Sequence, residues 1–215
     1  MDNILAEVHS IGGNNMVRYG IIGGTFDPIH YAHLYIAYEA KEQLNLDKVI
    51  FMPAGQQPFK VENNVTSANL RYEMVKEAIK PYDEFSISNY EIENKGLSYT
   101  YKTLEHFKDV YKGIELFFIT GADCLMNLDK WKEVSKIFKV CTFVVFARGG
   151  IDTAILDIHK KNIEEKYGGK IVILKLKELE ISSTDIRNRI KSGKRADFFI
   201  PEKVNEFIKK NNLYR

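Results

Sequence analysis

Apolar residues recur along this chain in two rhythms that alternate. Short continuous runs at Val17–Ile22, Lys48–Met52, Glu115–Thr120, Thr142–Ala147 and Ile171–Leu176 have the length and β-branched content of strands buried on both faces. Between them, apolar positions fall three or four apart. Leu34, Ala37, Tyr38 and Leu44 predict one helical stripe, Leu70, Met74, Val75 and Ile79 a second, and Thr100, Leu104, Phe107 and Val110–Tyr111 a third. Phe85–Ile92 alternates partly and predicts a further strand. Near the end, Ser182-Ser183-Thr184-Asp185-Ile186-Arg187 reads as a capped helix start, and Pro201 opens a last helix with Val204, Phe207 and Ile208 on one face. Strands alternating with helices imply right-handed crossovers, hence an α/β fold: a doubly wound, mainly parallel sheet with helices on both faces. Ligands of such sheets lie beyond the carboxyl ends of the strands.

Composition narrows the classes. The chain has 215 residues and is 45% hydrophobic, enough for one sizeable core. With 31 basic and 29 acidic residues the net charge is +2, too balanced for the basic footprint of a nucleic-acid binder. No apolar run reaches the length of a membrane span. Cys124 and Cys141 sit inside apolar patterns without metal spacing and read as reduced core thiols of a cytoplasmic protein. Met1 to Asn15 lack the basic start and long apolar stretch of a secretory signal, so residues 1–15 are expected to form an extension outside a single domain spanning 16–215. The polar, turn-rich loop Pro53 to Asn69 is long enough to serve as a lid or binding loop.

The candidate chemistry begins at Gly23-Gly24-Thr25-Phe26-Asp27-Pro28-Ile29-His30-Tyr31-Ala32-His33. A strand that feeds a glycine turn and then a helix start can bring backbone N–H groups close to phosphate. Two histidines three residues apart share a face of the first helical turn, where both can donate to phosphate oxygens. Each part alone has a plainer reading: a tight turn, surface histidines, or half of a metal site. Together they point to an enzyme that handles a nucleoside triphosphate without a P-loop lysine, and no metal-ligand pattern is evident.

These stretches resemble bacterial nicotinate-nucleotide adenylyltransferases, in the nucleotidyltransferase superfamily with the His-x-Gly-His type motif. The resemblance runs from Met16 to the C-terminus. It rests on the stretch from Gly23 to Leu34, on Met52-Pro53-Ala54-Gly55 with Gln57-Pro58-Phe59-Lys60, and on Ser98-Tyr99-Thr100 with Thr103-Leu104. It continues through Thr120-Gly121-Ala122-Asp123 with Asn127-Leu128 and Trp131, Arg148-Gly149, and Ile181 to Arg187. Two departures stand out: Ala32 replaces the family glycine before the second histidine, and Phe59 replaces a loop histidine.

The resemblance implies a Rossmann-like nucleotidyltransferase that moves the adenylyl group of ATP to nicotinate mononucleotide, releasing pyrophosphate, in NAD biosynthesis. It implies catalytic roles for His30, His33 and Arg187. It assigns Gly23, Gly24, Thr25, Phe26, Ser182, Ser183, Thr184 and Asp123 to ATP, with Asp123 toward ribose hydroxyls. It assigns Lys60, Tyr99, Thr100, Trp131 and Arg148 to the mononucleotide, with Trp131 stacked on the pyridine. Mg²⁺ is expected to arrive on ATP rather than in a resident cage. The partners implied are these two substrates, with no nucleic acid or membrane, and a monomer or homodimer. Residue by residue, plainer readings stand beside these: Ser182 to Thr184 as helix capping, Trp131 as a core or surface anchor, Tyr99 and Thr100 as capping and core packing, Arg148 as a surface arginine. Two other functions share the fold, a sister transferase for another phosphorylated acceptor and a non-catalytic nucleotide-binding regulator. Trp131 with Ser98-Tyr99-Thr100 weighs against the first, and the intact His30, His33, Ser183, Thr184 and Arg187 against the second.

Overall fold

The computed structural model describes residues 16–55, 65–94, 96–147, 153–177 and 179–215. Six strands form one all-parallel sheet: β1 (Arg18–Gly24), β2 (Lys48–Pro53), β3 (Phe85–Ile87), β4 (Glu115–Gly121), β5 (Thr142–Phe146) and β6 (Ile171–Leu174), in the order β3-β2-β1-β4-β5-β6. Chain order reverses between β1 and β4, which makes their carboxyl ends the switch point of the sheet. The helices are α1 (Tyr31–Leu44), α2 (Ala68–Ile79), α3 (Tyr90–Glu93), α4 (Thr100–Val110), α5 (Ala122–Met126), α6 (Val134–Val140), α7 (Thr153–Tyr167), α8 (Ser183–Lys191) and α9 (Glu202–Lys210). A 3₁₀ turn covers Leu128–Lys130.

The two-residue period of the strands sorts their side chains into two cores. Ile22, Phe51, Phe117, Ile119 and Val144 pack with Leu34, Ile36, Met74, Val75, Ile186, Val204 and Ile208 from α1, α2, α8 and α9. Ile21, Ile50, Met52, Phe118 and Phe143 pack with Leu104, Phe107, Leu125, Ile137 and Leu156 from α4 to α7. Each fully buried Ile, Leu or Phe contributes about 1.5–3 kcal/mol relative to exposure. Because both faces of the sheet are covered, the strands read as unbroken apolar runs.

Four expectations are corrected. Gly23 and Gly24 are not a turn but the last two residues of β1, in register with Met52 and Pro53. The expected strand over Phe85–Ile92 ends at Ile87, and α3 follows. The expected strand from Ile171 stops at Leu174, short of Leu176. Pro201 is the N-cap of α9 rather than its first residue. Helix α7 had no clean stripe to announce it. Leu156 and Ile163 are buried, but Ile155 and Ile158 are 54% and 63% exposed, which smears the apolar pattern round the helix.

Candidate active site

At the switch point the chain turns sharply after Gly24. Phe26 takes a left-handed backbone conformation, φ 51°, and folds its ring back over Gly24. A Cβ on Gly24 would lie 2.8 Å from that ring, so only glycine fits beneath it. Phe26 is then buried, and its ring edge meets the His33 ring at 5.0 Å.

The histidines share one side of the helix start, as the spacing predicted, but not as two residues of one helical turn. His30 is the extended N-cap of α1, and only His33 lies within the helix. Their rings stack face to face, 3.6 Å apart and 18° from parallel. The backbone N–H of His30 donates to His33 Nδ1 at 3.3 Å. A neutral His33 that accepts at Nδ1 carries its proton on Nε2, which makes that atom a donor. His30 is 1% exposed, whereas His33 is half-buried, so His33 is the ring with surface to offer. The backbone at the start of α1 offers less than expected. The N–H of Tyr31 donates to Phe199 O at 3.0 Å and that of His33 to His30 O at 2.9 Å. The His33 ring and the backbone around the turn are therefore the places where this element can offer donors.

Helix α8 docks on the same turn. Ser183 Oγ donates to Pro28 O at 2.9 Å, and Arg187 Nη1 donates to Asp27 O at 2.8 Å. Arg187 Nη2 donates to Thr184 Oγ1 at 3.2 Å. Ser182 caps the helix: its hydroxyl accepts from the Asp185 N–H at 3.1 Å and donates to the Asp185 carboxylate at 2.6 Å. Residues about 155 positions apart in sequence are thus joined into one cluster, with hydroxyls and a guanidinium beside a histidine donor. Such a donor set suits phosphate oxygens.

A residue that pattern reading missed holds this turn. Arg71 on α2 is 3% exposed, and its guanidinium donates to three carbonyls: Thr25 O at 2.6 Å, Ala54 O at 2.8 Å and Thr66 O at 2.9 Å. Burial pushes its guanidinium below the ordinary value, and Asp27 pulls it back. It reads in sequence as one more arginine on an amphipathic helix. A charged residue three and four positions before Met74 and Val75, on the apolar stripe itself, is the signal that could have marked it.

The other side of the switch point is aromatic. Trp131 ends the 3₁₀ turn, half-buried, with its edge toward Phe118 at 6.3 Å and Phe143 at 6.1 Å. Phe118 in turn faces the position where Gly23 would carry a Cβ, at 3.4 Å. Lys166 Nζ and Tyr167 OH from α7 both donate to Asp129 at 2.7 Å, bracing the turn that carries Trp131. Tyr99 is the N-cap of α4 and Thr100 its first residue, as expected. Glu91 also escaped sequence reading. Its carboxylate accepts from Thr103 Oγ1 at 2.9 Å, and its backbone oxygen lies 2.0 Å from where a Cβ on Gly55 would sit. Burial pushes the Glu91 carboxyl up, while hydrogen bonds from Thr103, Gly55 and Ser98 pull it down. It ties the end of β2 to the start of α4. Asp123 is exposed on the first turn of α5, directly after β4. The structure therefore groups Gly24, Thr25, Phe26, His30, His33, Ser183, Thr184 and Arg187 directly. Lys60 and Arg148 lie outside the described residues.

Cys141 is buried and its thiol is pushed up to about 12 by burial. It accordingly has no nucleophilic part in this cluster. Among the described residues no helix is long and apolar enough to cross a membrane.

A cytidylyltransferase-like family model matches residues 21–189. A curated relative from Clostridium beijerinckii, named "Probable nicotinate-nucleotide adenylyltransferase", is 64% identical over 204 residues, covering 93% of this chain and 100% of its own. A relative of the same name from Clostridium novyi is 49% identical over 200 residues, again covering 93% of this chain and 100% of its own. Among solved structures, the Plasmodium falciparum nicotinic acid mononucleotide adenylyltransferase complexed with NaAD is similar with a TM-score of 0.73. It is 21% identical and covers 92% of this chain and 97% of that one, a likeness of fold.

Proposed function

The chain belongs to the nicotinate-nucleotide adenylyltransferase family, and from that premise we propose how its residues divide the work. The reaction moves the adenylyl group of ATP to nicotinate mononucleotide, giving nicotinate adenine dinucleotide and pyrophosphate. The attacking group is already a phosphate oxyanion, so no general base is required. The difficulty is to bring two anions together and to stabilise charge on the leaving pyrophosphate. That calls for positioning and fixed donors.

The observation that carries this assignment is the docking of α8 on the 25–28 turn, through Ser183 to Pro28 O and Arg187 to Asp27 O. It brings donors from both ends of the chain together at the switch point. In our reading the backbone of Gly23, Gly24, Thr25 and Phe26 lines the triphosphate. His33 Nε2–H donates to the phosphoryl group under attack, and His30 stacks beneath His33 and holds its ring. Ser182 caps α8 and the Ser183 hydroxyl pins it to the turn, while the Ser183 backbone N–H, Thr184 and Arg187 hold the leaving phosphates. Asp123 faces ribose hydroxyls. Mg²⁺ comes with the triphosphate and supplies charge neutralisation there. The donor set fits that arrangement: Thr184 and Arg187 beside the turn offer hydroxyl and guanidinium groups to the oxygens of a metal-bound triphosphate. Location in the cytoplasm agrees with Cys124 and Cys141 forming no disulfide.

Purified protein given ATP, nicotinate mononucleotide and Mg²⁺ is expected to release pyrophosphate in proportion to dinucleotide formed. A coupled pyrophosphate assay across a panel of phosphorylated acceptors checks this. Release with another acceptor alone would favour the sister-transferase reading, and binding of ATP without release would favour a regulator.

The acceptor site leads to a second expected result. The start of α4 at Tyr99 and Thr100 offers backbone donors, which a nicotinate carboxylate can accept from together. The amide of nicotinamide must turn its NH₂ toward a donor or leave one unpaired, at a cost of about 1–3 kcal/mol. kcat/KM should therefore favour nicotinate mononucleotide by roughly ten-fold to several hundred-fold. Trp131→Ala should weaken both acceptors and leave the ratio nearly unchanged, because stacking does not distinguish the exocyclic groups. Equal use of both by the wild type would refute the carboxylate site. Selectivity lost with Trp131 would refute this division of roles.

A further inference from the structure

The end of the chain returns to the phosphate-binding turn. After α9, Asn212 and Tyr214 adopt left-handed backbone conformations, φ 53° and 62°, while the N–H of Leu213 donates to Ile208 O at 3.1 Å. This hook sends the Tyr214 ring inward, where it packs against the α2, α8 and α9 side of the core. Its hydroxyl donates to Asp27 Oδ1 at 2.6 Å, across 187 residues of sequence, and lies 3.9 Å from Met74 Sδ.

Asp27 is 3% exposed, and its groups are shared among three distant parts of the chain. Oδ1 takes the Tyr214 hydroxyl, Oδ2 takes the Thr66 N–H at 3.2 Å, and the backbone oxygen takes Arg187 Nη1. Arg71 grips the residues on either side, at Thr25 O and Thr66 O. Burying a carboxylate without such hydrogen-bond partners is costly. Tyr214 is suited to the part, since burial and the neighbouring Asp27 push its hydroxyl far above its ordinary value.

We propose that Tyr214 is a positioning residue for the triphosphate: its hydroxyl fixes the Asp27 carboxylate, and through it the 25–28 turn and Arg187. The tail hook is then a latch on the phosphate side of the site. It acts on ATP and not on the mononucleotide, because Trp131, Tyr99 and Thr100 contact neither Asp27 nor the tail in the bonds described above. The inference rests on the assignment of the 25–28 turn and Arg187 to the triphosphate.

Steady-state kinetics with each substrate varied in turn test it, alongside thermal midpoints. Tyr214→Phe keeps the ring and removes one hydrogen bond to a buried carboxylate. It should lower kcat/KM for ATP on the order of 10-fold and leave KM for nicotinate mononucleotide within about two-fold. Asp27→Asn should lower kcat/KM for ATP as well. Adding Tyr214→Phe to it should cost little more, since the charged acceptor of that hydroxyl is already gone. Arg187→Ala in the same assay separates the premise from the proposal. If Arg187→Ala leaves ATP kinetics unchanged, the phosphate assignment itself is wrong. If Arg187→Ala is impaired while Tyr214→Phe matches the wild type, or only lowers the thermal midpoint, the latch is overturned and Tyr214 is a brace. Equal losses for both substrates, or additive losses with Asp27→Asn, overturn it too.

Discussion

Replacing His33 by alanine is expected to lower kcat about 100-fold or more while changing KM for nicotinate mononucleotide little. The ring is held on three sides: His30 stacked at 3.6 Å, Phe26 edge-on at 5.0 Å, and the His30 N–H donating to Nδ1. That bond commits Nδ1 as an acceptor, so the neutral ring presents Nε2–H. A donor fixed before the reaction begins needs no reorganisation when charge builds on the phosphoryl oxygens, which is where such donors stabilise most. His33→Gln places an amide NH₂ near the Nε2 position and should recover part of the lost rate. His33→Ala then separates two roles. A change confined to mononucleotide KM, or none at all, would make His33 a packing residue of α1.

Arg71→Met should cost about 3–5 kcal/mol of stability, by the measure of breaking one side of a buried charged pair. The carbonyls of Thr25, Ala54 and Thr66 would each lose a charged donor, and Asp27 would lose a buried countercharge. For a chain of this size such a loss lowers the thermal midpoint by roughly 10 °C or more. Arg71→Lys should be intermediate, because an ammonium keeps the charge but cannot span three carbonyls set around a planar fork. Chemical denaturation of the three proteins, with unchanged slopes, measures this directly. A cost below about 1 kcal/mol for Arg71→Met would mean that water or local rearrangement satisfies the carbonyls, and that the turn keeps its shape without the arginine. The same variants should show raised KM for ATP in whatever fraction remains folded, since Thr25 lies in the turn assigned to the triphosphate.

Much of the scaffold was legible because its strands are buried on both faces. Val17–Ile22 and Thr142–Ala147 announce themselves as apolar runs whatever surrounds them. Segments whose pattern is set by neighbours were not legible. Phe85–Ile92 breaks after Ile87 because Tyr90–Glu93 turns into α3, with Glu91 reaching Thr103. Helix α7 hides because apolar residues also face outward. The site shows the same division. His33, Ser183, Thr184 and Arg187 were visible as members of short motifs, since each motif lies on one helix start. Arg71, Glu91 and Tyr214 were not, because their partners lie outside any local motif, up to 187 positions away.

By itself, the sequence determined the α/β alternation, the strand-to-helix passage at Gly23 to His33, the capped start at Ser182, and the family whose motifs these are. All of that is local: backbone freedom, capping chemistry and two periodicities act over a few residues and need no partner. Only the tertiary structure decided that Gly23 and Gly24 end a strand, that His30 is buried as an N-cap while His33 faces outward, and that α8 closes on the 25–28 turn. It also decided that a guanidinium from α2 and a tyrosine from the tail hold that turn from behind. Those choices depend on which buried polar group finds which partner, and a chain pays its largest penalties for leaving such groups unpaired. Pairings of that kind are settled by the packing of the whole domain, across distances over which no sequence pattern repeats.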